Sequence, residues 1–219
     1  MNKKRIIRTV LILIAALGFS ALIAWVQVNG YRTSEGPAIQ VLSDQTNTSK
    51  PEKTVAGTSV GGPFTLTDHR GNIFTDANLR GQYTLIYFGF TFCPAICPTE
   101  LQKMTAALKQ AAPASDKILP VFITIDPDRD TQDVMAKYVA QFRDNMVGLY
   151  GTQAQIDAVL KAYRIYARKV QDPAMTEYTM DHSSYIYFMG PDGDLIGIYG
   201  VNSTPSEIAS AIREAIPQP

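Results

Sequence analysis

The segment 83–90 reads YTLIYFGF and leads directly into the two cysteines of the chain, Cys93 and Cys97. A short apolar run with almost no polar alternation is typical of a strand that is buried on both faces. The amphipathic segment 98–111, which follows the cysteines, is typical of a helix. This order indicates an α/β fold in which the cysteine loop lies at the carboxyl end of a core strand.

The rest of the chain from residue 61 continues the alternation of strand-like and helix-like segments. Turn residues at 68–71 and 191–194 predict two hairpins, and Thr204 to Glu207 combine a capping box with a proline at the first helical position. The order of elements predicts a thioredoxin-like α/β domain over residues 61–219 with an extra N-terminal hairpin. The predicted strands are 64–66, 72–74, 83–90, 118–125, 146–150, 185–189 and 195–199, and the predicted helices are 98–111, 134–142, 156–163 and one that opens at 204.

The N-terminal segment 9–31 contains no charged residue, and its part 10–28 is strongly apolar. A helix of about 20 apolar residues spans the hydrocarbon core of a bilayer. A cleaved signal peptide is the alternative, but its apolar region is usually only about 7 to 15 residues and ends in a small-residue cleavage site, which this segment lacks. We therefore predict that residues 1–29 form a cytoplasmic stub and one transmembrane helix.

Residues 30–60 are rich in small and polar residues and predict a flexible tether with a span of roughly 30 Å. The basic residues before the apolar segment should remain in the cytoplasm. We therefore expect a single-pass protein of the inner (cytoplasmic) membrane whose globular domain lies in the periplasm.

The distribution of charge argues against nucleic acid as a partner. The chain has 20 basic and 20 acidic residues, but Lys3, Lys4, Arg5 and Arg8 all precede the first acid, Glu35. Everything after residue 8 therefore carries a net charge of about −4. This is the wrong sign for a surface that neutralises phosphates.

The two cysteines lie four residues apart in TFCPAICP. Pro98 suits the first helical position, which makes Cys97 the N-cap of the helix and places both sulfurs in an exposed loop beside unpaired amides that favour the thiolate. Two converging thiolates form a soft-metal site or a reversible disulfide. Thiol oxidoreductases usually have C-x-x-C spacing, so the extra residue favours a metal, with a redox-active Cys93–Cys97 disulfide as the alternative.

The chain contains two histidines. His69 lies in a predicted turn between Asp68 and Arg70, and we expect it to be solvated. His182 precedes the predicted strand that leads to Met189, at a sheet end that could face the cysteine loop. Together with two thiolates it completes a set of two sulfurs and one nitrogen, which suits Cu(I) and tolerates Cu(II).

Three segments, TFCPAICPTEL, ITIDPDRDT and DHSSYIYFMGPDGDLIGIYG, resemble the Sco/SenC family of membrane-anchored copper chaperones. The resemblance covers residue 61 to the C-terminus. It implies a thioredoxin fold, copper ligands at Cys93, Cys97 and His182, and a role in assembling the dinuclear copper site of cytochrome c oxidase subunit II. Many members carry an acidic residue where this chain has Ala95, a departure that leaves the ligands intact and bears on loop polarity or partner contact.

We therefore expect a copper-binding assembly factor rather than an enzyme, which passes copper to cytochrome c oxidase subunit II or another copper protein by ligand exchange. The alternative is a thiol-disulfide reductase that keeps the copper-ligand cysteines of the target reduced, which leaves His182 without a required role. A peroxide-reducing relative is disfavoured because the C-x-x-x-C-P loop differs from a lone peroxidatic cysteine.

Three aspartates and two methionines are further candidates for a role at the predicted site. Asp130 is most simply the N-cap of the helix that follows it, whereas Asp126 and Asp128 remain open between a supporting and a docking role. Met175 and Met180 could lend a thioether sulfur to copper, but isolated methionines usually serve packing, and we do not place them among the ligands.

Overall fold

The structure is a computed structural model and describes Trp25, residues 60–171 and residues 176–216. Trp25 is helical and exposed. Among these residues, no helix has the length and apolar character needed to cross a bilayer. Apart from Trp25, the predicted transmembrane segment 10–28 lies outside the described residues, and so does the predicted tether up to residue 59.

The strands of the described part are β1 (Thr65–Asp68), β2 (Ile73–Thr75), β3 (Tyr83–Gly89), β4 (Ile118–Thr124), β5 (Val147–Tyr150), β6 (Ala167–Val170), β7 (Thr179–His182), β8 (Ile186–Met189) and β9 (Leu195–Tyr199). Seven of them form one mixed sheet in the order β2-β1-β5-β4-β3-β8-β9, and β6 and β7 form a separate two-stranded ribbon. Strands β3, β4 and β5 are parallel to one another, and the flanking strands β1 and β8 pair with them antiparallel.

The centre of the sheet is the pair β3 and β4, which runs in parallel register from Tyr83 opposite Ile118 to Gly89 opposite Thr124. Nearly every residue of both strands is buried, as the continuous apolar runs predict. The backbone N–H of Ile125 donates to the carbonyl of Gly89 over 2.8 Å and closes this end of the pair. The loops that leave β3 and β4 therefore start side by side.

Four α-helices accompany the sheet within the described residues. The helices are α1 (Ile96–Gln110), α2 (Gln132–Val139), α3 (Gln153–Tyr163) and α4 (Pro205–Ala215). Helix α4 begins with the capping box at Thr204 and the proline in its first turn that the sequence predicts. Helix α3 begins with a further capping box at Thr152. Helix α1 packs against α4 and against β3.

The predicted alternation of strands and helices is confirmed, including the N-terminal hairpin β1–β2 and the late hairpin β8–β9. The ribbon β6–β7 is absent from the sequence prediction. Its strands read ARKV and TMDH, and no residue of either is fully buried, so no apolar pattern marks them. His182 is consequently the last residue of β7, and β8 begins only at Ile186, later than predicted.

Candidate metal centre

The cysteine loop connects the end of β3 to the start of α1. The helix begins at Ile96 with Ala95 as its N-cap, so the prediction that Cys97 is the N-cap is wrong. Cys97 and Pro98 instead lie within the first turn. A proline is tolerated there because the first amides of a helix have no partner inside the helix.

Cys93 lies half-buried in this loop, and its sulfur accepts hydrogen bonds from the groups around it. The backbone N–H of Cys97 lies 3.3 Å from Sγ of Cys93. A hydrogen bond from the Cys97 thiol, reinforced by the amides of Cys97, Ala95 and Ile96, outweighs burial and lowers the pKa of Cys93 to about 5. The expected activation of a thiol at the helix start therefore falls on Cys93.

Cys97 differs sharply from Cys93, because its side chain is fully buried. The prediction that both sulfurs lie on an outer surface is therefore wrong. The hydrogen bond to Cys93 and burial both raise the pKa of Cys97, although the Tyr87 hydroxyl and the Phe90 amide donate to its sulfur. In the reduced pair, Cys93 carries the thiolate and Cys97 the thiol.

His182 reaches Cys97 from the end of the ribbon. Its Nε2 lies 3.7 Å from Sγ of Cys97, and its ring meets the ring of Phe90 edge to face at 5.9 Å. Its Nδ1 lies 2.9 Å from the carbonyl oxygen of Ser183. Since a carbonyl can only accept, Nδ1 carries the proton and Nε2 presents its lone pair toward the sulfur, the tautomer that a metal-binding imidazole needs.

An open pocket of about 380 Å³ lies over these groups and is lined by both the cysteine loop and the ribbon. Cys93, Met180 and His182 face it, whereas Met175 lies outside the described residues. Val201 closes another side. Lys103 of α1 donates to the carbonyls of Gly200 and Val201 and holds this edge in place.

The described part of the chain contains no group of three or more His, Cys, Asp or Glu side chains already arranged as a metal site. Cys97 and His182 face each other, but the Cys93 sulfur is engaged with the Cys97 amide and thiol. The available donors are two sulfurs and one imidazole nitrogen, a set that suits Cu(I). A metal at this position would replace the hydrogen bond from the Cys97 thiol to the Cys93 thiolate.

None of the three acidic residues Asp126, Asp128 and Asp130 lines the pocket, and they differ in burial and partners. Asp130 is buried and accepts hydrogen bonds from the backbone N–H and the hydroxyl of Thr91 and from the hydroxyl of Thr124. Its interpretation as an N-cap is wrong, because Thr131 occupies that position. Asp126 is also buried and pairs with Arg129, whereas Asp128 is exposed and pairs with Lys169 of β6.

His69 lies away from these groups. Its Nδ1 accepts a hydrogen bond of 3.1 Å from the backbone N–H of Gly148. It is half-buried rather than solvated as predicted, and this burial lowers its pKa. The structure thus brings together the predicted residues Cys93, Cys97 and His182, and separates His69 from them.

A model of the SCO1/SenC family matches residues 52–217. The chain belongs to the SCO1/SenC family. This confirms the resemblance carried by the three sequence motifs. The mitochondrial Protein SCO1 homolog of Mus musculus is 44% identical over 155 residues, which cover 70% of this chain and 55% of the relative. This SCO1/SenC chain thus spans about half the length of that relative.

Two solved structures of Sco proteins share the fold of this SCO1/SenC chain. ScoI of Bradyrhizobium japonicum, with copper bound, is 40% identical, with a TM-score of 0.66, and the match covers 72% of this chain and all of that one. BsSco, a Sco-family cytochrome c oxidase assembly protein in which a disulfide switch was identified, is 28% identical. Its TM-score is 0.58, and the match covers 76% of this chain and 95% of BsSco. The predicted thioredoxin-like α/β fold is thereby supported.

Proposed function

We propose that this protein is a copper chaperone that binds one copper ion through Cys93, Cys97 and His182 and delivers it to the dinuclear copper site of cytochrome c oxidase subunit II. One observation carries the proposal: Nε2 of His182 lies 3.7 Å from Sγ of Cys97, while Nδ1 donates to the Ser183 carbonyl. The imidazole is thus oriented with its lone pair at a sulfur.

The donor set fits copper as cargo. Thiolate sulfur and imidazole nitrogen both bind copper well, and thiolates favour Cu(I). ScoI of Bradyrhizobium japonicum, which shares 40% of its sequence with this chain over the matched region, holds copper. The half-exposed Cys93 and the open pocket give an incoming ligand access. A partner's sulfur can therefore bind before a sulfur of this chain leaves, which avoids a copper ion without ligands.

The position of the protein in the cell is part of this proposal. Residues 10–28 would anchor the chain in the inner membrane, with the N-terminus in the cytoplasm and the domain in the periplasm. Residues 30–60 would then tether the domain and allow it to search the membrane surface for its target. The apolar length and the preceding basic residues support this placement.

A thiol-disulfide reductase is the second candidate, and the low pKa of Cys93 beside Cys97 favours it. The Cys93 thiolate would attack a disulfide of the target, form a mixed disulfide and release one target thiolate. Cys97 would then attack the Cys93 sulfur and release the second. This chain would end with a Cys93–Cys97 disulfide and would need an external dithiol to return to the reduced form. The disulfide switch identified in BsSco supports this candidate.

Cells whose only copy of the protein is altered separate the two functions. Under copper limitation, Cys93→Ser, Cys97→Ser and His182→Ala should each lower cytochrome oxidase activity, and added copper should at least partly restore it. His69→Gln is the matched control, because it removes the other histidine. The reductase function instead predicts normal oxidase in His182→Ala cells and rescue of the cysteine variants by a thiol reductant. Normal assembly in His182→Ala cells would overturn the chaperone proposal.

A further inference from the structure

The ribbon β6–β7 holds His182 but takes no part in the central sheet. His182 pairs with Ala167 at one end of the ribbon, and Thr179 pairs with Val170 at the other. At the His182 end, the chain continues to Ser184, whose hydroxyl lies 2.9 Å from that of Tyr87 on β3. The position of the imidazole therefore also depends on what holds the far end.

Arg129, from the loop after β4, holds that far end. Its Nη1 donates to the carbonyl of Tyr178 over 2.9 Å, and its guanidinium carbon lies 3.7 Å from the centre of the Tyr178 ring. The same carbon lies 4.6 Å from the centre of the Phe92 ring. Phe92 directly precedes Cys93, and Tyr178 directly precedes β7, so one guanidinium contacts both halves of the metal centre.

A buried carboxylate fixes the direction of this guanidinium. Asp126 is fully buried, and its Oδ2 accepts from Nε of Arg129 over 2.5 Å. Its Oδ1 accepts from the Tyr178 hydroxyl over 2.7 Å. Nη2 of Arg129 is buried and has no hydrogen-bond partner among the described residues. The guanidinium thus interacts with Asp126, with the backbone carbonyl of Tyr178 and with aromatic faces, and only 19% of the Arg129 side chain is exposed.

We propose that Arg129 is a positioning residue, which holds the ribbon against the cysteine loop and thereby keeps His182 in place as the third copper ligand. This inference rests on the proposed function, because it takes His182 to bind copper. Cys93 lies in the loop after β3, which Asp130 also holds through Thr91, and Cys97 lies in the first turn of α1, so neither sulfur is part of the ribbon. Loss of Arg129 should therefore weaken the contribution of nitrogen to copper binding and leave the sulfur contribution unchanged.

A second link between the same loop and the ribbon provides a matched control. Asp128, next to Arg129, pairs with Lys169 of β6, but both side chains are largely exposed, at 60% and 45% of their surface. Exposed ion pairs of this kind contribute little to structure. Asp128→Asn therefore removes the exposed ion pair between this loop and the ribbon but keeps the buried contacts of Arg129.

The test compares Arg129→Gln, Asp128→Asn, His182→Ala and the parent as purified full chains. Cu(II) affinity and the nitrogen coupling in the electron paramagnetic resonance spectrum report on His182, and Cu(I) affinity reports on the sulfurs. Supporting contacts around a metal ligand typically contribute roughly 10-fold to 100-fold in affinity, so we expect Arg129→Gln to lose Cu(II) affinity by that factor while Cu(I) affinity stays unchanged. Asp128→Asn should match the parent.

A measurement without copper isolates the positioning role. Amide hydrogen exchange in the copper-free chain should become faster in β7 of Arg129→Gln, while exchange in β3 stays as in the parent. Parent-like Cu(II) binding by Arg129→Gln, or unchanged exchange in β7, overturns the inference. An equal loss in Asp128→Asn also overturns it, because any link to the ribbon would then suffice. Undiminished Cu(II) binding by His182→Ala would instead contradict the proposed function.

Arg129→Lys decides the question if Arg129→Gln does not fold, as judged by circular dichroism. A lysine keeps the charge beside Asp126 but lacks the planar fork that also reaches the Tyr178 carbonyl. We expect Arg129→Lys to fold and to show a smaller loss of Cu(II) affinity in the same direction. Binding and exchange identical to those of the parent in Arg129→Lys would overturn the inference.

Discussion

A β-carbon on Gly89 would lie only 2.8 Å from Sγ of Cys97. The end of β3 thus approaches the buried sulfur so closely that only a residue without a side chain fits. The same β-carbon would lie 2.9 Å from the Tyr87 ring and 3.1 Å from the Phe122 ring. It would therefore be too close to neighbouring atoms on three sides. Gly89 therefore lies directly against the buried sulfur, at the rear of the candidate metal centre.

Gly89→Ala should displace the Cys97 sulfur and destabilise the domain. Overpacking of a dense core typically costs about 1 to 3 kcal/mol, and we expect a loss of this size in urea unfolding together with weaker Cu(I) binding. Gly200→Ala is the control, because its β-carbon would meet only the Tyr185 ring, at 3.6 Å. Equal stability and copper affinity in both variants would contradict the close approach at Gly89.

Copper stoichiometry tests the ligand set directly. We expect one copper per chain, with two sulfurs and one nitrogen counted by X-ray absorption. His182→Ala should still bind Cu(I) through the cysteines but lose most Cu(II) binding, because Cu(II) depends more on the imidazole. A nitrogen count that stays the same in His182→Ala would exclude His182 as a ligand.

The ionisation of Cys93 predicts how alkylation depends on pH. Hydrogen bonding lowers its pKa to about 5, so in the reduced, copper-free chain its rate with iodoacetamide should be constant at neutral pH. The rate should fall only in acid, as the thiolate takes up a proton. Cys97 should react far more slowly, because burial and a raised pKa keep it a thiol. Peptide mapping by mass spectrometry distinguishes the two sites.

Cys97→Ala supplies the control for this measurement, because it removes the strongest hydrogen-bond donor to Cys93. The inflection of the Cys93 rate should then move to higher pH. An inflection at or above the value of about 8.5 for a free cysteine in the unaltered chain would show that the helix start does not activate this thiol.

Asp130→Asn tests the hydrogen bonds that join the cysteine loop, through Thr91, to the buried Asp130 carboxylate. The carboxylate accepts from the backbone and the hydroxyl of Thr91 and from Thr124, and an amide nitrogen cannot replace an accepting oxygen. Leaving buried donors unsatisfied costs about 1 to 3 kcal/mol, which we expect as a lower free energy of unfolding. The exposed Asp133→Asn should show almost no change, and an equal loss there would contradict the specific role of Asp130.

The sequence predicts the main strands and helices of the domain because local residue patterns mark them. The apolar run of β3 identifies a buried strand, and the capping box at Thr204 identifies the start of a helix. Cys93, Cys97 and His182 could be grouped because few residue types bind soft metals. These features depend on neighbours in the chain or on rare residues.

The errors concern features that depend on distant partners. Asp130 is read as a cap because its real partner Thr91 lies 39 residues away. Arg129 belongs to one of the three sequence motifs, but its role stays hidden because the two rings that it contacts, Phe92 and Tyr178, come from two separate loops. The strands of the ribbon are short and polar, and only their pairing in three dimensions reveals them.

The unequal burial of the two sulfurs gives the centre a front and a back. Cys93 and the imidazole border the open pocket, whereas Cys97 is closed off behind them. A molecule that exchanges metal or electrons with this centre therefore reaches Cys93 and His182 before Cys97. In the copper transfer that we propose, we expect the exposed sulfur to be engaged first and the buried sulfur to release the metal last.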